Sequence, residues 1–292
     1  MAAGGDEARC PGCGAAYPRR EGIWRMLVEE RREALRAFVE PYETVRAGEK
    51  RAVVGPRHLR ALPFRDLSRL RRREWSVRAK SFRALIARVV RPREEARGAP
   101  LRILDVGSGL GWLAYRLSLR GHDVAAVDLL TNDSDGLGVH RHYGRAFWPI
   151  EAEFDRLPFR DASVDLVVYN ASFHYAAHYP TTLREGLRVL AADGRLVIMD
   201  SPLYRDGSSG ASMVRERDDE FQRRYGLRGA RAEGFLTHER LAGLRTQLGL
   251  AWDLVEPWYG VRWWLKPWVA KVRGLREPAR FTLIVGRRCG DR

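Results

Sequence analysis

Apolar positions along the chain follow two rhythms, and the rhythm changes near residue 100. Upstream, Leu70, Val77, Phe82, Leu85, Ile86 and Val89 return on a rough 3.6-residue period, which predicts an amphipathic helix from Ser68 to Val90. Pro92 and Gly98 are expected to end it. Downstream, short apolar runs alternate with helical patterns, as in βαβ units around a parallel sheet. Strands are predicted over 101–106, 123–128, 163–169 and 194–200, with another ending at 152–154. A helix to about Arg120 follows the first, and a weak strand at 252–255 and a strong one at 280–285 close the pattern. The first 25 residues are rich in Gly and Cys and read as turns. The expected organisation is a knuckle-like segment at 1–25, a basic helical extension at 26–97 and an α/β domain at 98–292. That domain carries a lid around 201–275, including a polar loop at 205–210.

Composition narrows the class. With 45% hydrophobic and 30% charged residues, the chain can bury a core, and wholesale disorder is excluded. No apolar run approaches the ~20 residues of a spanning helix. The opening residues lack the apolar stretch of a signal peptide, so a soluble, cytoplasmic protein is expected. The net charge is +15, but 48 of the 52 basic residues are Arg and only 4 are Lys, a bias that a GC-rich gene also produces. Residues 51–100 hold 15 Lys and Arg against 4 Asp and Glu. Such a stripe could meet nucleic acid or an anionic membrane, or it could be a solvated helical face offsetting acids elsewhere.

The chemistry concentrates at Asp105-Val-Gly-Ser-Gly-Leu-Gly111, between a predicted strand and a predicted helix. Gly107, Gly109 and Gly111 allow a tight turn and close approach of a ligand. The spacing is not that of a dinucleotide fingerprint, whose last glycine would fall on Trp112. Asp105 would repel a pyrophosphate, so a cationic or zwitterionic ligand is expected. Asp128 ends the second strand, where a carboxylate can accept both hydroxyls of a ribose.

Three motifs in order, LDVGSGLG (104–111), EFDRLPFRDASVDLV (153–167) and RVLAADGRL (188–196), resemble the class I S-adenosylmethionine-dependent methyltransferases, in particular the type 11 set. The resemblance implies a doubly wound, Rossmann-like sheet of seven strands in the order 3-2-1-4-5-7-6, the last antiparallel. It implies S-adenosylmethionine as cofactor. Gly107 and Gly109 would line its methionine part, with Asp105 near the amino group, and Ser108 and Gly111 would also bind the cofactor. Asp128 would hold the ribose hydroxyls, Glu153 and Phe154 would meet the adenine, Asn170 would sit beside the sulfonium, and Leu129 would also bind the cofactor. Glu153 departs from the family's usual Asp. The helix before the sheet often covers the cofactor in this superfamily, and Trp75 and Arg78 share one face of it. Arg78 could pair with the cofactor carboxylate.

Methyl transfer from a sulfonium is an in-line displacement that needs alignment, desolvation and, for an O–H or N–H acceptor, a base. His174, Tyr175, Asp200 and Tyr204 leave the carboxyl ends of the fourth and fifth strands and are the candidates, with His178 a lesser one. Each could equally pack or bond within the fold. Cys10-Pro-Gly-Cys13 is half of a tetrahedral zinc site and resembles the second half of the small zinc-ribbon partners of methyltransferases. Intramolecular zinc, zinc shared between chains and a metal-free knuckle are all open. Four of nine Trp fall within 258–268, near Lys271, Arg273 and Arg276, which suits a packed lid, a membrane-surface contact, base stacking or an apolar pocket. The leading expectation is a methyltransferase for a small or lipid-like acceptor. An RNA methyltransferase and a non-catalytic cofactor-binding or scaffold protein are the alternatives. Neither oligomeric state nor acceptor atom is readable.

Overall fold

The structure, a computed structural model, describes residues 5–48, 55–144, 147–226 and 232–290. Residues 49–54 of the expected helical extension and 227–231 of the expected lid lie outside these. The chain opens with strands β1 (Glu7–Arg9), β2 (Ala16–Arg20) and β3 (Ile23–Arg25), then helices α1 (Glu29–Gly48), α2 (Pro56–Ala61) and α3 (Arg72–Leu85). A π-helical turn at Ile86–Val90 leads into α4 (Arg91–Arg97). Then come β4 (Arg102–Val106), α5 (Trp112–Ser118), β5 (Asp123–Asp128), β6 (Trp148–Glu151), β7 (Val164–Asn170), α6 (Tyr179–Val189) and β8 (Leu190–Met199). Beyond them run β9 (Leu203–Tyr204), α7 (Gly207–Tyr225), β10 (Leu236–Thr237), α8 (His238–Leu248), β11 (Leu250–Val255), α9 (Val261–Val272) and β12 (Leu283–Arg288).

The main sheet has ten strands in the order β1-β2-β3-β6-β5-β4-β7-β8-β12-β11, with β9 and β10 forming a separate parallel pair. Its inner seven follow the order 3-2-1-4-5-7-6. The strands β6, β5, β4, β7 and β8 are parallel, and β12 runs antiparallel between β8 and β11. The expected count of seven is therefore corrected to ten. The first 25 residues, read as turns, supply the extra strands, because β3 pairs in parallel with β6, which would otherwise be an edge. Ile23 and Trp24 point to opposite faces, and each enters one of the two cores. Those cores sandwich the sheet: α3, the π turn and α5 on one side, α6 and α8 on the other.

Two further expectations move. The helix starts at Arg72 rather than Ser68, because Asp66 gathers the amides of Ser68 and Arg71 into a turn before it. Pro92 does not end it. The ladder loosens into the π turn just upstream of the proline, and Pro92 then sits in the first turn of α4, where its missing N–H costs nothing. Gly98, left-handed at φ 63°, is the real stop. The third strand ends at Glu151, so 152–154 forms the loop beyond it.

Candidate functional site

The carboxyl ends of β4 to β8 open into a cavity of about 1620 Å³, also walled by α1, α3, α7, α9 and the stretch before β12. The glycine loop forms its floor. Gly107 and Ser108 donate their amides to the Val127 carbonyl (2.8 and 3.0 Å), which stitches the loop to β5. Gly107 has φ 72°, and a Cβ there would stand 2.3 Å from the Ser172 Cβ and 2.9 Å from the Phe154 ring. Only glycine fits that cradle. Gly111 caps α5 at φ 64° against Phe147.

Two carboxylates organise the loop. Asp128 accepts from the Gly109 amide (2.7 Å) and the Leu130 amide (2.9 Å), so its orientation is fixed from both sides. Asp105 is wholly buried beneath the loop and accepts from the Ala114 amide (3.2 Å), while its Oδ1 has no partner among the described residues. Burial, with the neighbouring Asp128 charge, raises its pKa to about 7. Burial raises Asp128 as well, against its two amide bonds. Asn170 and Ser108 line the cavity and are buried, and Asn170 Oδ1 and Ser108 Oγ have no partner among the described residues. These orphaned polar atoms, the buried Asp105 carboxyl and the cradle at Gly107 fit a ligand with an ammonium and a ribose. Leu129 and Phe154 lie on the same wall.

Glu153 behaves differently from its expected role. Both of its oxygens are taken by Arg31 of α1, at 2.9 and 2.5 Å. A buried Glu reaches further than an Asp and needs a counter-charge, which α1 supplies. Arg32 likewise reaches Glu151 (3.1 Å), and Arg46 holds the buried Asp135 (2.6 Å). Helix α1 thus roofs the cavity, presenting Phe38, Tyr42 and Val45, with Tyr42 edge-on to Tyr175 at 5.3 Å. Sequence reasoning missed these residues. Their signal was the stripe Leu35, Phe38, Tyr42 and Val45 at helical spacing.

Trp75 and Arg78 do share a face on the cavity wall. Trp75 is buried edge-on against Trp112 at 6.0 Å. Arg78 stacks over the Trp75 ring at 5.0 Å and pairs with Glu74 at 2.8 Å, a partner from its own helix.

The four catalytic candidates all line the cavity. Burial, then the charges of Arg217 and Arg78, push the pKa of His174 down to about 3, so its imidazole is neutral; Nδ1 lies 3.2 Å from Ser201 Oγ. The intrinsic pKa that recommended it as a base does not survive burial. Asp200, at φ 53°, accepts from Ser81 Oγ (2.5 Å), and Ser81 also touches the Tyr259 hydroxyl at 2.8 Å. Asp200 Oδ2 has no partner among the described residues, and burial raises the carboxyl above its ordinary value. The Tyr204 hydroxyl faces Arg276 at 3.5 Å. His178 instead bonds Thr181 at the exposed start of α6.

Cys10 and Cys13 occupy the turn between β1 and β2, where the amides of Cys13 and Gly12 lower the Cys10 thiol. Among the described residues no third ligand joins them, and Cys289 follows β12, near the opposite edge of the sheet.

Residues 104–198 match the methyltransferase-domain family. Malonyl-[acyl-carrier protein] O-methyltransferase of Erwinia pyrifoliae is 36% identical over 106 residues, covering 36% of this chain and 39% of that protein. Demethylmenaquinone methyltransferase of Thermus thermophilus is 33% identical over 121 residues, covering 38% and 52%. The chain thus spans about half or less of these relatives. A solved Galdieria sulphuraria structure, provisionally named a sarcosine dimethylglycine methyltransferase, shares the fold with a TM-score of 0.51 at 14% identity, over 75% of this chain and 88% of that one. Residues 104–198 thus match a methyltransferase domain.

Proposed function

We propose that the protein transfers the methyl group of S-adenosylmethionine to a small or lipid-like acceptor. The observation that carries this is one cavity in which the glycine loop, Asp128, Asn170 Oδ1 and Asp200 Oδ2, the last two without a partner among the described residues, face an apolar wall including Val77, Met213 and Phe221. Its volume exceeds the ~300–1,000 Å³ of most ligand pockets, which leaves room for cofactor and acceptor together. The named activities of the relatives, on malonyl-acyl-carrier protein and demethylmenaquinone, support an acceptor of this class.

Bound S-adenosylmethionine supplies an electrophilic methyl on a sulfonium. In this reading the backbone at 107–109 approaches its methionine part, Asp105 and Asn170 offer acceptors to the ammonium, and Asp128 takes the ribose hydroxyls. Arg31 must release Glu153 before that carboxylate can reach adenine. Roof helix α1 excludes water, which sharpens alignment and protects the sulfonium. Asp200 Oδ2 accepts a hydrogen bond from the acceptor O–H or N–H and, when ionised, takes its proton. His174, neutral at working pH, orients rather than deprotonates. Arg78, Arg217, Arg262 and Lys266 on the cavity wall give an acidic group on the acceptor a counter-charge.

The test is incubation with methyl-labelled S-adenosylmethionine and a bacterial extract, followed by partition into lipid, small polar, RNA and protein fractions. Label in the lipid or small polar fraction is expected, reduced ~100-fold or more in Asp200→Asn if that residue is the base. Label in RNA alone would overturn the reading, and so would saturable cofactor binding with no transfer to any fraction.

A further inference from the structure

The last helix buries the wrong amount of itself for a packed lid. Only Trp263, Pro267 and Ala270, spaced four and three apart, turn toward the body, with Trp263 against Tyr259 and Phe281 at 5.1 and 5.5 Å. The opposite stripe, Val261, Leu265, Trp268 and Val272, repeats at four, three and four residues and faces solvent, with Trp264 beside it. Trp264 and Trp268 are each 67% exposed and Val272 69%. Trp258 and Leu275 extend the patch at either end. A soluble surface rarely leaves such a run uncovered unless something covers it.

Charge identifies the occupant. From Pro257 to Arg276 there is no acidic residue, while Arg262, Lys266, Lys271 and Arg273 flank the apolar stripe. The exposed Arg72 and Arg73 of α3 stand on the same rim, close enough that Arg73, after burial, lowers the Lys266 ammonium. The acids nearby are committed: Glu74 pairs with Arg71 and Arg78, Glu216 with Arg276 and Glu256 with Arg280, and Glu277 accepts from the Arg205 amide. Outward Trp, Val and Leu between Lys and Arg are the composition of a helix that lies in the interface of an anionic bilayer. Arg262, Trp263 and Lys266 also line the cavity, as do the exposed Leu70 and Arg73, so its mouth opens beside this face.

The geometry points to α9 as a docking helix that seats the cavity mouth on an anionic lipid bilayer. Delivery of a lipid-soluble acceptor through that mouth rests on the methyltransferase reading; docking itself does not. The test is co-sedimentation of the full chain with phosphatidylcholine vesicles, with and without phosphatidylglycerol, across a salt series. Cofactor affinity is measured in parallel by calorimetry. Binding to phosphatidylglycerol vesicles is expected and should weaken with salt. Trp264→Ala with Trp268→Ala should lower it by more than about tenfold. Lys271→Gln with Arg273→Gln should lower it about thirtyfold. None of these four residues lines the cavity, so cofactor affinity should stay unchanged.

Absence of vesicle binding, or binding that the variants leave intact, would overturn docking. A self-associated form dispersed by the Trp variants without vesicle binding would also overturn it, in favour of a second copy of the chain. Variant-sensitive binding to single-stranded RNA in place of vesicles would do the same in favour of nucleic acid. Loss of cofactor binding in the parent chain would instead sink the methyltransferase reading and leave the vesicle result standing.

Discussion

Asp105 is the residue whose environment most changes its chemistry. Its carboxyl is wholly buried, and its pKa rises from an ordinary 3.8 to about 7. Between those values the unfolded chain has released the proton that the folded chain retains. Stability therefore falls as pH rises through that window, by about 1.4 kcal/mol per unit and about 4 kcal/mol in all if Asp105 alone governs it. Asparagine is isosteric and can still accept from the Ala114 amide. Asp105→Asn should thus flatten the stability profile between pH 4 and 7 and raise chemical stability at pH 8 by about 2–4 kcal/mol. It should weaken S-adenosylmethionine, because the ammonium loses its carboxylate. In the parent chain, affinity should climb about tenfold per unit up to pH 7 and then level, as calorimetry across pH would show. A flat affinity profile would remove Asp105 from the cofactor's amino group. Gly107→Ala makes the companion test. A left-handed φ costs a non-glycine residue about 1–2 kcal/mol, and the new Cβ meets Ser172 at 2.3 Å. It should lower the thermal midpoint by several degrees and weaken the cofactor more than tenfold. The glycine loop was legible in sequence because Gly107, Gly109 and Gly111, at φ 72°, 50° and 64°, hold a left-handed backbone that few other residues adopt. The environment that lowers the His174 pKa, burial and two arginines, was not legible because it comes from elements far apart in the chain.

At the scale of elements, α1 is where sequence and structure part most. Its apolar stripe was visible, yet nothing local said that it would roof the cavity. What fixes it there is long-range: Arg31 to Glu153, Arg32 to Glu151, Arg46 to Asp135 and Asn132 to Glu43. Of these ties the Arg46–Asp135 pair is the most buried, with side chains 15% and 5% exposed. Removing one partner of such a pair leaves an uncompensated buried charge and costs about 3–5 kcal/mol. Arg46→Met, which keeps most of the stem packing, should therefore loosen the roof. Because α1 is one helix tied at its ends, the loss should appear as local opening rather than global unfolding. Hydrogen exchange should quicken across Glu29–Gly48 while β4 and β7 stay protected, and bound cofactor should dissociate faster. Equal acceleration in the central strands would show that α1 is part of the global unit instead.

At the scale of the molecule, part of the basic stretch at 51–100 is paired with acids. Arg97 and Arg102 converge on the buried Asp165, Arg93 pairs with Asp193, and Arg71 and Arg78 share Glu74. Charge counted along a sequence cannot see such pairing, which is why an RNA-binding stripe and a neutralised helical face looked alike. The central strands β4 and β7 were readable because each is a short, buried, mostly apolar run. The three added strands were not, being three to five residues long and placed by pairing with β6, more than a hundred residues away. That placement makes a final prediction. Ile23 is fully buried in one core and Trp24 in the other, so the amino-terminal meander should melt with the domain rather than before it. Ile23→Ala should cost about 2–4 kcal/mol of global stability. Trp emission and far-ultraviolet dichroism should then report one coincident transition, shifted downward together. An early, separate transition in the mutant or the parent would mean that β1 to β3 fold as an independent appendage and that β6 is a tolerated edge.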